Sequence, residues 1–237
     1  MVNLEEITAK GIDPVLCEQF AIQMCNDPNV IHSTKASKQI IPGDFLVSTY
    51  MSQFPMRLGS LGFKFANPLT PNIPIKLERD KISSHLGDHV TIKHEPGRDT
   101  TRYTYDSGKC GRSRSVDIKP LSEVKRYVSV EDEQVLSLIQ EYCQASGDIA
   151  DDLYARERSN QLPFKVEDYA PVYAEGIIFL ESLPQGRLER EVDSTTRIRA
   201  MGDSFLAQYN FPLTSAGKKM GSIAKKVMFV PRSKLNL

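Results

Sequence analysis

The sequence predicts an α+β fold, mostly antiparallel sheet with a basic hairpin, N-terminal helices and a central helical hairpin. Three observations lead there. Apolar residues recur at helical steps in the N-terminal 55 residues and again between about 130 and 160; period-2 runs fill the stretch from 73 to 118 and return after Pro163. At 237 residues, with 40% hydrophobic and 25% charged residues, the chain can bury a core without metal or disulfide staples.

Taken in order, "GIDPVLCEQFAIQMCNDPN" places Asp13 as an N-cap and Pro14 at the first helical position, with Val15, Leu16, Phe20 and Met24 at helical spacing and Asn26-Asp27-Pro28 as a stop. "PGDFLVSTYMSQFP" repeats that grammar, with Asp44 as cap and Leu46, Val47, Tyr50, Met51 and Phe54 on one stripe. From 56 to 75, prolines 68, 71 and 74 predict a loop or an extended apolar arm carrying Leu61, Phe63, Phe65 and Leu69, because such a density of proline denies ladder hydrogen bonds. "RYTYDSGKCGRSRSVDI" reads as a β-hairpin with Gly108 and Gly111 at its tip. "SVEDEQVLSLIQEYCQASGD" has a Ser129–Asp132 capping box and the terminator Ser146-Gly147, and "DIADDLYARERSN" follows as the second arm of a helical hairpin. Strands then return in "EGIIFLESLPQGRLEREV" and "TTRIRAM", and a short helical piece from about Thr214 to Lys226 precedes "VMFV". The whole chain, 1–237, reads as one domain with no internal repeat; the Pro-rich stretch 68–74 is the one candidate boundary.

Composition and charge exclude several classes. No window of about 18 apolar residues exists and "MVNLEEITAK" opens with acids, so neither a membrane span nor a signal peptide is expected. Cys17, Cys25, Cys110 and Cys143 show no metal-type spacing, and eight helical residues hold Cys17 and Cys25 roughly 12 Å apart, so reduced, buried thiols are expected. Zero net charge conceals a gradient: residues 120–203 carry 9 basic and 17 acidic groups, residues 204–237 carry 6 and none. An acidic middle and a basic end can satisfy each other within one fold or between copies.

His85, His89 and His94, with Asp88 and Glu95, make the densest imidazole cluster. On a strand, however, residues four apart lie roughly 13 Å from each other and residues five apart face opposite sides, which disfavours a shared metal and leaves solvated histidines on an edge strand. "MGDSFL", 201–206, resembles the Gly-Asp-Ser block of one hydrolase class, whose histidine base follows the serine. No histidine follows His94, so Asp203 or Ser204 is read as a helix cap. "DSGKCGRSRS" fails the P-loop pattern because Tyr103, not a glycine, stands five before Gly108. With Arg98, Arg102, Tyr103, Tyr105, Lys109, Arg112 and Arg114, the 98–119 hairpin is the best nucleic-acid candidate: cations for phosphates and rings for bases. Acid pairs such as Asp151-Asp152, Glu167-Asp168 and Glu189 with Glu191 fit solvated faces.

The sequence predicts a non-catalytic interaction or assembly protein rather than an enzyme, such as a structural subunit of a virion or other large complex. Such a protein needs no cofactor, has a protein partner or associates with itself, and works in the cytoplasm or a virion, neither secreted nor in a membrane. The alternatives are a nucleic-acid-binding protein using the 98–119 hairpin and a metal-dependent hydrolase or nuclease.

Overall fold

The computed structural model describes residues 4–27, 30–56, 58–95, 120–184, 186–191 and 195–234. The fold is α+β. Helices α1 (Leu4–Lys10), α2 (Pro14–Cys25) and α3 (Gly43–Gln53) precede strands β1 (Gly59–Phe65), β2 (Lys76–Leu77), β3 (Lys81–Ser84) and β4 (Gly87–Glu95). Helices α4 (Leu121–Val124) and α5 (Glu133–Arg158) follow, then β5 (Tyr169–Leu180), β6 (Glu189–Arg190), β7 (Thr195–Met201), β8 (Ser204–Ser215) and β9 (Lys218–Pro231).

The strands form one antiparallel sheet in the order β2-β3-β4-β1-β5-β9-β8-β6, with β7 also on β8. That order is a palindrome of roles. Each half is a helix, α3 or α5, followed by a strand that takes the middle of the sheet, a short strand that takes the edge, and a hairpin that fills the space between. The halves meet along β1 and β5, where Leu61 lies opposite Ile178. This structural repeat is carried by strand order rather than by matching residues, which is why no repeat is visible in the sequence.

Local chemistry sets the boundaries. The Asp13 carboxylate accepts from the backbone N–H groups of Val15 and Leu16 at 2.9 and 3.0 Å, and Asn26 ends α2 in the left-handed region. Ala216 and Gly217, at φ 50° and 73°, form the two-residue turn that right-twisted hairpins prefer, so the stretch expected to be helical from Thr214 is instead the β8–β9 hairpin. Gly202, at φ 66°, turns β7 into β8 together with Asp203, and Ser204 opens β8, so neither residue is a helix cap.

Two further expectations are corrected. The predicted helical hairpin is one continuous helix of 26 residues, capped by Asp132 and unbroken at Ser146-Gly147. A glycine there costs a helix about 1 kcal/mol, but a Cβ at Gly147 would lie 2.8 Å from the Cys25 carbonyl oxygen, so the missing side chain is what lets α2 close on α5. The apolar arm also contains a strand: β1 occupies 59–65, where Leu61 and Phe63 are buried, and Leu69 packs into the chain's own core while its carbonyl accepts from the Ile41 N–H at 2.8 Å. Buried apolar side chains form a continuous cluster from Ile7 to Phe229, with α2 and α3 both packed on α5.

Candidate active site

Within that core three polar side chains from three elements converge. Asp44 stands in the first turn of α3, Ser146 midway along α5, and Lys225 midway along β9. The Lys225 ammonium donates to Asp44 Oδ1 at 2.8 Å and to Ser146 Oγ at 2.7 Å, and the Ser146 hydroxyl donates to Asp44 Oδ2 at 2.5 Å. The Lys225 side chain is 0% exposed and that of Asp44 5%. Burying one such charge costs several kcal/mol, so the pair persists only because each group is matched and hydrogen-bonded.

The surroundings are built to hold the ammonium. Its Nζ lies 3.9 Å from the centre of the Tyr142 ring and 5.2 Å from that of Tyr173, so aromatic faces meet the side that the carboxylate and hydroxyl leave free. Gly176 makes this possible. It lies opposite Lys225 in the β5–β9 ladder, and a Cβ on it would sit 1.9 Å from the Tyr142 hydroxyl oxygen. Burial first, and the Asp44 charge second, push the Tyr142 and Tyr173 hydroxyls well above the ordinary tyrosine range, so both are neutral donors at physiological pH.

Two cysteines and a histidine lie close by, Cys25 near enough to feel the charges of Asp44 and Lys225. Cys143, one residue beyond Tyr142 on α5, has its Sγ 3.3 Å from Ser48 Oγ. Cys25 is pushed far up by burial, and next by its hydrogen bond to Cys143. His32 Nδ1 lies 2.7 Å from the Ile40 carbonyl oxygen, which can only accept, so that nitrogen carries a proton and Nε2 faces Asp27 Oδ2 at 3.6 Å.

Ser146 opens onto a cavity of ≈ 70 Å³. Asp27 and Tyr173 flank Ser146 on its wall; Leu153, Val166 and Phe229 make apolar sides, and Arg232 also faces in. A wider open groove of ≈ 540 Å³ beside His85, Ser84 and Lys76 lies elsewhere on the fold and gathers no comparable polar set among the described residues.

The predicted site residues fall away from the triad. His89 is buried on β4, an interior strand rather than an edge, with Nε2 2.7 Å from Ser84 Oγ and Nδ1 3.1 Å from the Asn67 carbonyl oxygen. His94 Nε2 lies 2.8 Å from the Tyr50 hydroxyl, and His85 borders the wide groove. No group of three or more metal-type ligands occurs among the described residues. Arg98, Arg102, Tyr103, Tyr105, Lys109, Arg112 and Arg114 lie outside the described residues. Among the described residues no helix is long and apolar enough to cross a membrane.

All three members of the triad escaped sequence reasoning because each has a plausible local role. Asp44 looks like a cap, yet Pro42 occupies the cap position with no side-chain bond. Ser146 looks like part of a helix terminator, and Lys225 like one of a basic tail. The signal that was present lies in β9: Ile223, Lys225, Val227 and Phe229 alternate on one buried face, so the lysine stands in a core register.

Solved structures of related shape include the tesB protein of Mycobacterium avium subs paratuberculosis, at 12% identity over 81% of this chain and 88% of that one, with a TM-score of 0.45. An acyl-CoA thioesterase II, TesB2, from Mycobacterium marinum matches at 10% identity over 81% and 90%, with a TM-score of 0.47. The dehydratase domain of PpsC from Mycobacterium tuberculosis, in complex with C12:1-CoA, matches at 12% over 82% and 85%, with a TM-score of 0.34. The convergence of Asp44, Ser146 and Lys225 beside a cavity overturns the expectation of a non-catalytic assembly protein, which supposed that no reactive side chains meet. No curated protein matches the sequence. A family model described as a protein of unknown function, DUF3581, matches residues 12–232, and the chain belongs to that family.

Proposed function

We propose that the protein is an acyl hydrolase that cleaves an ester or thioester through Ser146. One observation carries this reading: Ser146 Oγ sits between a carboxylate oxygen at 2.5 Å and an ammonium at 2.7 Å, on the wall of a cavity. A serine is a weak nucleophile until a base takes its proton and a positive group steadies the alkoxide. Asp44 Oδ2 is placed for the first task and Lys225 for the second.

The steps balance. Ser146 Oγ forms a bond to the acyl carbon as its proton moves to Asp44 Oδ2, and the carbonyl π pair moves onto oxygen, where the neutral Tyr173 hydroxyl on the same wall donates a hydrogen bond. Collapse of that intermediate breaks the bond to the alcohol or thiol, which leaves with a proton from Lys225. The proton held by Asp44 then passes to Lys225 across their 2.8 Å contact, restoring the ion pair. Water follows the same route in reverse, with Asp44 as its base, and releases the acid.

The test is hydrolysis of p-nitrophenyl esters and acyl thioesters by the purified chain and by Ser146→Ala, which leaves the Asp44–Lys225 pair in place. A loss of about 10³-fold or more in kcat/KM is expected, the scale of removing a nucleophile. Turnover unchanged by Ser146→Ala would sink the reading. Self-association in a cytoplasm-like compartment is part of the same proposal, tested by light scattering across protein and salt concentrations.

A further inference from the structure

We infer that Arg232 anchors a carboxylate at the far end of the substrate's acyl chain, so that the substrate class is half-acids: unbranched acyl groups with a free acid at one end and the scissile ester or thioester at the other. The inference rests on the acyl-hydrolase reading of the same cavity. Arg232 makes no ion pair or hydrogen bond with any other described residue, and its Nε is buried without a partner. A buried donor left without an acceptor is destabilising, so an acceptor belongs there when the site is filled. Among the described residues, the other partly or fully buried arginines each bind a side chain: Arg190 meets Glu141 and Asp148, Arg156 meets Asp152, and Arg187, whose Nε makes no hydrogen bond either, meets Gln140 through Nη2. The one carboxylate on the cavity wall, Asp27, is turned to His32.

The geometry sets the chain length. Ser146 and Tyr173 mark one end of the cavity; Leu153 on α5 and Tyr169 on β5 mark the other, where Tyr169 pairs with Pro231, the neighbour of Arg232. Seven helical residues span about 10 Å and four strand residues about 13 Å. At roughly 1.2 Å per bond, a third of the extended spacing per residue, that distance takes about eight to eleven bonds, a chain larger than the ≈ 70 Å³ of free space, so part of it lies in the open mouth of the cavity. The apolar walls suit methylenes, and the guanidinium fork matches a planar carboxylate in two parallel hydrogen bonds.

Two arms test this. In the first, the mono-p-nitrophenyl ester of octanedioic acid is compared with p-nitrophenyl octanoate on the full-length protein. The half-acid is preferred, and Arg232→Gln reduces the ratio of the two kcat/KM values by about 10–100-fold, the scale of losing a close charge pair. An unchanged ratio overturns the proposal. In the second, which needs no turnover, octanoate, octanamide and octyl phosphate are titrated calorimetrically into the wild type and Arg232→Gln. Octanoate binds at least about tenfold tighter than octanamide, and the variant erases the difference. Equal binding of acid and amide, or tighter binding of the phosphate, overturns the carboxylate assignment. Arg232-dependent octanoate binding without any hydrolysis removes the acyl-hydrolase reading and keeps the anchor; hydrolysis with no dependence on Arg232 does the opposite.

Discussion

Replacing Asp44 by alanine strands an ammonium whose side chain is 0% exposed and whose remaining neighbours are two tyrosine rings and a serine. Breaking a buried pair by removing one partner costs about 3–5 kcal/mol. The variant also removes the acceptor of the Ser146 hydroxyl, worth about 1 kcal/mol. A chain of this size loses about 2–4 °C of Tm per kcal/mol, so Asp44→Ala lowers Tm by about 10 °C or more. The double variant Asp44→Leu with Lys225→Met replaces the pair by apolar groups and recovers most of the loss, because neither charge remains to be solvated. Thermal and urea unfolding, followed by circular dichroism, measure all three proteins. A loss under 1 kcal/mol for the single variant, or a double variant no more stable than Asp44→Ala, refutes the picture of a desolvated and mutually dependent pair.

Three other outcomes follow from the same packing. Gly176→Ala destabilises by about 1–3 kcal/mol in urea melts, since its Cβ would lie 1.9 Å from the Tyr142 hydroxyl oxygen against the ammonium. Arg190→Met costs about 3–5 kcal/mol by the same measurement, because the arginine binds Glu141 Oε2 at 2.6 Å and Asp148 Oδ2 at 2.7 Å and its loss leaves the Glu141 carboxylate buried without its cation. Burial pushes the Tyr50 hydroxyl up to about 12, and raises those of Tyr142 and Tyr173 well above the ordinary tyrosine range. Because the folded values lie above the unfolded one near 10, this contribution is fully present below pH 10 and is lost as pH rises from 10 towards 12, where tyrosine absorbance and unfolding should change together.

What the sequence disclosed was local. Asp13-Pro14 specifies the start of α2 and Asn26 its end, because caps and φ restraints act within a few residues. The strands of "EGIIFL" and of 87–95 show in their alternation and β-branched content. The errors came where a distant contact outweighs a local signal. Ser146-Gly147 has the composition of a helix end, but α5 passes through it because α2 and Lys225 need small residues there. Thr214–Lys226 has helical spacing, but two residues of positive φ make it a hairpin. The triad was illegible for the same reason: its members are 102 and 79 residues apart in sequence, and only the closing of α3 and β9 on α5 brings them together.

The central claim is that Ser146 is an activated nucleophile, and covalent labelling tests it most directly. The folded protein is incubated with an alkyl fluorophosphonate, and intact mass followed by peptide mapping locates the adduct. We expect one adduct per chain, on Ser146, absent from Ser146→Ala and formed far more slowly in Asp44→Asn. A folded protein that stays unlabelled, or carries its label on another residue while Ser146→Ala reacts as well, contradicts the account.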